Sequence, residues 1–214
     1  MVNMEKIKLI AATGNKNKLR EFQQIFTNIC PVEVIPAKNL VPDFDPEETG
    51  ETFAENAWIK VNSLYREACQ DIGDCIILAD DSGLCVDYIN GEPGVYSARY
   101  ADDEGYHHDD IANVNKLLRV MHDVPESGRT ARFVCAIAVK VVKDGSTYDI
   151  EALGYLEGRI ARVPAGEGGF GYDPVLYIPE YHMTVAQMSA ELKNEISHRG
   201  RALVNAVEKL KEII

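Results

Sequence analysis

The sequence has little of what would mark a membrane protein, a zinc protein or a nucleic-acid binder. No apolar stretch approaches the roughly 20 residues that span a bilayer. The amino terminus, Met1 to Lys8, carries charge and runs straight into a strand-like segment, so it has no apolar region of a signal peptide. The five cysteines, Cys30, Cys69, Cys75, Cys85 and Cys135, are odd in number and lack a C-x-x-C or Cys/His spacing. That supports neither a zinc site nor a disulfide framework. Basic residues are few, with 22 Lys and Arg against 34 Asp and Glu and a net charge of −12. A surface that coats DNA or RNA would have to be carved from that repelling background, whereas a small anionic ligand needs only a local basic pocket. No repeat, low-complexity tract or Ser/Gly linker divides the chain. These absences predict a soluble, cytoplasmic protein with no nucleic-acid or membrane partner, residues 1–214 forming a single domain.

What is present is a core-forming chain, 214 residues long and 46% hydrophobic, long enough for an enzyme. Lys6 to Ala12 is predicted as a strand, Thr13-Gly14-Asn15 as a turn, and Asn17 to Phe26 as a helix with Leu19, Phe22, Ile25 and Phe26 at helical spacing. Val32 to Ile35 predicts a second strand, followed by an acid- and proline-rich loop over residues 42–50. Thr52 and Glu55 form a capping box that opens a helix through Ala57, Val61, Leu64 and Ala68. Ile76 to Ala79 and Leu84 to Tyr88 read as strands joined by an Asp-Asp-Ser-Gly turn. Asp109 to Met121 should be a helix. Arg132 to Val142 and Thr147 to Leu156 should pair through the turn at residues 143–146, with Gly158 to Val163 extending the sheet. A glycine-rich loop over Gly166 to Pro174 and a closing helix over Ser197 to Ile213 complete the reading. A long antiparallel hairpin among interspersed helices favours a mixed α/β sheet over a doubly wound parallel one.

The chemistry concentrates in a few stretches. Asp80 and Asp81 end an apolar run, and neighbouring carboxylates repel unless a metal or a basic group neutralises them. Alone, the same residues also read as a solvated turn. Thr13 to Lys18 (Thr13, Gly14, Asn15, Lys16, Asn17, Lys18) lie between a strand and a helix, where free backbone N–H groups and the helix dipole favour phosphate and Lys18 adds a full charge. This is not a Walker A loop, since G-x-x-x-x-G-K-[ST] is absent. Glu47 and Glu48 in the acidic loop offer a third carboxylate, and Lys60 shares a helix face with Asn56. Magnesium takes one or two protein carboxylates plus phosphate oxygens and water, so such a set suffices. In Gly168-Gly169-Phe170-Gly171-Tyr172-Asp173-Pro174 one aromatic suits a nucleobase and the other suits the core. Lys193, His198 and Arg199 gather donors before the last helix.

Taken in order, Thr-Gly-Asn-x-x-Lys, Glu-Thr-Gly-x-Thr-Phe-x-Glu-Asn-Ala, Ala-Asp-Asp-Ser-Gly-Leu, Gly-x-Pro-Gly-Val-Tyr-Ser-Ala-Arg-Tyr, Gly-Gly-Phe-Gly-Tyr-Asp-Pro and Ile-Ser-His-Arg-Gly-x-Ala closely resemble the inosine/xanthosine triphosphate pyrophosphatase family, bacterial type. The match runs from Lys8 to about Leu210 with no departure at a motif position. The resemblance implies hydrolysis of ITP, dITP or XTP to monophosphate and pyrophosphate, with Mg²⁺, by a homodimer. It also implies an elongated mixed sheet with flanking helices and two lobes around a central substrate cleft. By the same resemblance Thr13 to Lys18 and Lys60 hold the phosphates. Asp81 is the proton acceptor and a metal ligand, and Asp80 and Glu48 sit beside the metal. Ser82, Phe170, Gly171, Tyr172, Asp173, Lys193, His198 and Arg199 contact the substrate. Two other functions fit the same motifs: a pyrophosphatase for another modified nucleotide such as dUTP, and a nucleotide-binding module without turnover.

Overall fold

The computed structural model describes residues 7–29, 32–68 and 72–213; Lys6, Cys30 and Cys69 lie outside them. The chain divides into two compact units. The first comprises Met1–Asp81, Ala136–Leu153 and Ala202–Ile214, the second Ser82–Cys135 and Gly154–Arg201. Seven strands, β1 (Ile7–Ala11), β2 (Val32–Pro36), β3 (Cys75–Val86), β4 (Thr130–Lys143), β5 (Ser146–Ile160), β6 (Leu176–Ile178) and β7 (Met183–Thr184), form a mixed sheet in the order β2-β1-β3-β4-β5-β6-β7.

In the first unit β1 (Ile7–Ala11) pairs in parallel with β2 (Val32–Pro36) on one side and with β3 (Cys75–Val86) on the other. Parallel neighbours need a crossover, and α1 (Lys16–Ile29) and α2 (Phe53–Ala68) supply it. The predicted capping box opens α2: Thr52 Oγ1 accepts the Glu55 N–H at 3.2 Å, and Glu55 Oε2 accepts the Thr52 N–H at 3.1 Å. Ile10, Phe44, Ala57, Val61, Leu64, Ile77 and Ala79 make the core here.

The second unit holds α3 (Asp110–Val120), β6 (Leu176–Ile178), β7 (Met183–Thr184) and α4 (Ala190–Ile196), around a core of Leu84, Val114, Leu117, Phe133, Leu156, Tyr172 and Leu176. Asp109 caps α3 by accepting the N–H groups of Ile111 and Ala112. Arg129, 1% exposed, donates to the carbonyls of Ile160, Met121, Val124 and Ala161, tying the end of β5 to the turn after α3.

The long hairpin joins β4 (Thr130–Lys143) to β5 (Ser146–Ile160) through Asp144 and Gly145, both at positive φ. That is the two-residue turn whose twist suits antiparallel strands. The predicted extension over Gly158 to Val163 is in part the end of β5 itself. β6 pairs with β5 only at Arg159 and Ile160. Further back along β5 the carbonyls of Tyr155, Leu153 and Glu151 accept instead from Arg201, Asn205 and Lys209 of α5 (His198–Leu210). Two residues of strand advance about 6.8 Å and four of helix about 6.0 Å, so donors at every fourth helical position meet alternate carbonyls.

One expectation is corrected. The Asp-Asp-Ser-Gly segment is no turn: β3 runs unbroken from Cys75 to Val86, because basic side chains from α1 and α2 neutralise the two carboxylates and let the strand continue buried. The closing helix expected over Ser197 to Ile213 stands as α5; the short α4 lies before it, outside the expected elements, and Ser197, whose ψ of 153° is extended, separates the two. The strands β6 and β7 are too short to leave a periodic signal.

Candidate active site

Successive side chains of a strand leave on opposite faces, so Asp80 and Asp81 meet different partners. Asp80 is fully buried, with Oδ2 3.1 Å from Lys18 Nζ in the first turns of α1. Asp81 faces α2. Asn56 Nδ2 donates to its Oδ2 at 3.1 Å, and Lys60 Nζ stands 3.6 Å from its Oδ1 and 3.2 Å from Glu48 Oε1. The i, i+4 spacing of Asn56 and Lys60 thus puts an amide on one oxygen of Asp81 and an ammonium beside the other. Burial pushes the Asp81 carboxyl above its ordinary value, and Lys60 and Lys18 only partly oppose this. For Lys60 burial works the other way, but Asp81, Glu48 and Asp80 outweigh it and its pKa is raised. The result is a carboxylate that holds its proton more readily than usual beside a lysine that stays charged, the pattern of a base next to an anion site.

The Thr13 to Lys18 segment uses its own side chains to shape itself. Thr13 Oγ1 accepts the Asn15 N–H at 3.1 Å, and Asn15 Oδ1 caps α1 by accepting the N–H groups of Asn17 at 2.9 Å and Lys18 at 3.2 Å. Two of the helix-terminal donors expected to face phosphate are therefore engaged by Asn15. Lys18 reaches Asp80 in the middle of β3, and Gly14 and Lys16 are exposed. Sequence reading missed Lys38, whose Cε and Nζ lie 3.2 and 3.6 Å from where a Gly14 Cβ would be. Nothing in spacing links residues 14 and 38; only the parallel pairing of β1 with β2 brings them together.

In donor chemistry Glu48 and Asp81 suit a hard cation, and the ammonium between them shows that positive charge is favoured there. Asp80 is taken up by Lys18 rather than gathered with them. Among the described residues no group of three or more His, Cys, Asp or Glu side chains could hold a metal ion.

The remaining predicted residues belong to the second unit. Asp173 Oδ2 accepts the Phe170 N–H at 2.9 Å and pairs with Lys193 Nζ at 2.8 Å. Gly169 sits at φ 75°, where a Cβ would collide with that carboxylate. The loop is thereby wrapped around Asp173, with Gly171 N–H held by Asp110 at 2.9 Å. Phe170 is left half-buried, its ring centroid 4.9 Å from Lys193 Nζ and 5.8 Å from Arg199 Cζ. Tyr172 is the core aromatic: it is buried, donates to Ser97 O at 2.9 Å, and burial drives its phenol pKa far up. His198 stacks on Phe133 at 4.9 Å. Arg199, 1% exposed, donates from Nη2 to Ser82 Oγ at 2.8 Å. It lies in the first turn of α5, at the positive end of the helix dipole, where a cation is disfavoured.

An open mixed sheet with a guarded carboxylate, flanking lysines and an aromatic set between cations defines a nucleotide-handling α/β protein. The chain belongs to the Ham1 family, which it matches over residues 9–209. It is 44% identical over 210 residues to the dITP/XTP pyrophosphatase of Bacillus cereus, covering 98% of both chains. To the protein of that name from Treponema denticola it is 43% identical over 197 residues, covering 92% of this chain and 95% of the other. Among solved structures, the Ham1 protein of Staphylococcus aureus superposes with a TM-score of 0.78 at 40% identity, covering 96% of this chain and 98% of that one. A HAM1 protein from Coxiella burnetii gives 0.81 at 37%, with 96% and 99% covered.

Proposed function

We propose that the chain hydrolyses deaminated purine nucleoside triphosphates, dITP, ITP and XTP, to the monophosphate and pyrophosphate. Relatives of matching length carry the name dITP/XTP pyrophosphatase, and the observation that carries the chemistry is Asp81, held by Asn56 and flanked by Lys60 and Glu48. Water attacks the α-phosphorus, the bond to the bridging oxygen of pyrophosphate breaks, and Asp81 takes the water proton. Its raised affinity for a proton suits that task at neutral pH. Lys18 and Lys60, with the Thr13 to Asn17 segment, compensate charge on the phosphates. Magnesium is the assigned ion, with Glu48 and Asp81 as its protein ligands. It supplies charge neutralisation at the transferring phosphoryl group.

The base is assigned to the second unit. Phe170 offers a ring, and Arg199 with Lys193 presents donors that match the 6-oxo group of hypoxanthine or xanthine and oppose the 6-amino donor of adenine. Ser82, His198 and the Gly171 backbone complete that set, with Asp173 and Tyr172 holding its shape. The protein works as a homodimer in the cytoplasm. Among the described residues no helix is long and apolar enough to cross a membrane.

Pyrophosphate release from a panel of triphosphates at one concentration tests the proposal. ITP, dITP and XTP should exceed ATP, GTP and dUTP in kcat/KM, and EDTA should abolish turnover while a zinc-selective chelator leaves it intact. A preference for dUTP would assign another modified nucleotide. Binding of ITP without release would make the protein a nucleotide-binding module.

A further inference from the structure

Asn56 is 1% exposed, and both ends of its amide are used: Nδ2 donates to Asp81 Oδ2 at 3.1 Å and Oδ1 accepts the Gly50 N–H at 2.8 Å. Only this orientation satisfies both neighbours, because the flipped amide would set N–H against N–H and oxygen against carboxylate. Gly50 lies two residues after Glu48 and packs so closely that a Cβ there would be 2.7 Å from Asn56 Oδ1. One side chain thus fastens the acidic loop and Asp81 to the same point on α2. We infer that Asn56 is the positioning residue of the hydrolytic site: it fixes the rotamer of Asp81, leaving Oδ1 on the Lys60 side to meet the reacting water. The inference rests on the reading of Asp81 as proton acceptor. On this reading Asn56 acts through Asp81. A carboxylate with one oxygen pinned keeps its free oxygen in place during proton transfer, whereas one pivoting about χ1 and χ2 loses the attack geometry.

The test uses three variants of the full-length protein. Asn56→Asp keeps the acceptor for Gly50 and replaces the donor to Asp81 with an oxygen. It should lower kcat for ITP by about 10- to 10²-fold, the scale of a misplaced reacting group. The KM for ITP and inhibition by pyrophosphate should stay within about twofold, because binding does not use this contact. Asp81→Asn alone should lose turnover. The swapped double variant, Asn56→Asp with Asp81→Asn, restores a donor opposite an acceptor. Its thermal midpoint should rise above that of Asn56→Asp, while its turnover stays at the Asp81→Asn level. A kcat for Asn56→Asp within about twofold of wild type overturns the inference. So does a loss shared equally by kcat and pyrophosphate affinity with no recovery of the midpoint in the swap, which would make Asn56 a fold residue. Full turnover by Asp81→Asn would instead overturn the reading of Asp81, and the inference with it.

Discussion

The two units set their cations among different companions. In the first, ammonium meets carboxylate, Lys18 with Asp80 and Lys60 with Glu48 and Asp81, so a buried acidic stretch in the middle of β3 is neutralised from two helices. In the second, Lys193 and Arg199 are gathered around an aromatic ring, and Lys193 also pairs with Asp173. Electrostatic pairing of the first kind acts on any polyphosphate whatever its base. Donors held at fixed angles beside a π face respond to hydrogen-bond sign and ring shape. On the proposed reading the difference separates rate from choice, and variants in one unit should leave the other property intact.

The largest effect is expected in the first unit. Asp81→Asn should reduce kcat for ITP by about 10²–10⁴-fold, the usual worth of a general base, while triphosphate binding survives. Single-turnover kinetics on ITP would check this, and retention of more than about a tenth of wild-type kcat would break the assignment. Next comes Arg199→Ala in the second unit. It should cut kcat/KM for ITP and XTP by about one to three decades and leave ATP nearly unchanged, so that the ITP-to-ATP ratio collapses toward unity. Equal loss on both substrates would move Arg199 from choice to phosphate binding or folding. The smallest effect concerns stability. Because the folded state holds the Asp81 proton more tightly than the unfolded chain, the ionised carboxylate costs stability above its raised folded pKa. That cost vanishes as pH falls through that value to below the ordinary 3.8. Asp81→Asn should therefore melt higher than wild type at neutral pH, with the gap closing in acid. Calorimetry across that range decides it, and a lower midpoint at neutral pH would mean that Asp81 stabilises as well as reacts.

Local signals were legible in the sequence wherever neighbours in the chain are neighbours in space. The Thr52–Glu55 box and the Asp144-Gly145 turn are complete within a few residues, and both stand as predicted. The Asp-Asp-Ser-Gly segment misled because its turn chemistry is local while its neutralisation is not: Lys18 precedes Asp80 by 62 residues. Every predicted site residue is described, but spacing could not divide their labour. Asp80 serves Lys18, Tyr172 serves the core and Asp173 holds the loop. Nor could it raise Asn56 above an ordinary polar residue on a helix face, since its partners Gly50 and Asp81 come from a loop and a strand.

The side-chain seal along β5 bears on colloidal behaviour. Open strand edges are templates for chain-to-chain association, and the long hairpin is the richest β-forming segment of this sequence. Arg201, Asn205 and Lys209 already occupy the carbonyls that an incoming strand would use. Their helix turns a sticky ribbon into a finished border, and the net charge of −12 adds mutual repulsion between molecules. Replacing the Asn205 amide by a carboxylate would set oxygen against the Leu153 carbonyl and open that border at its middle, so one amide of α5 guards the hairpin against association.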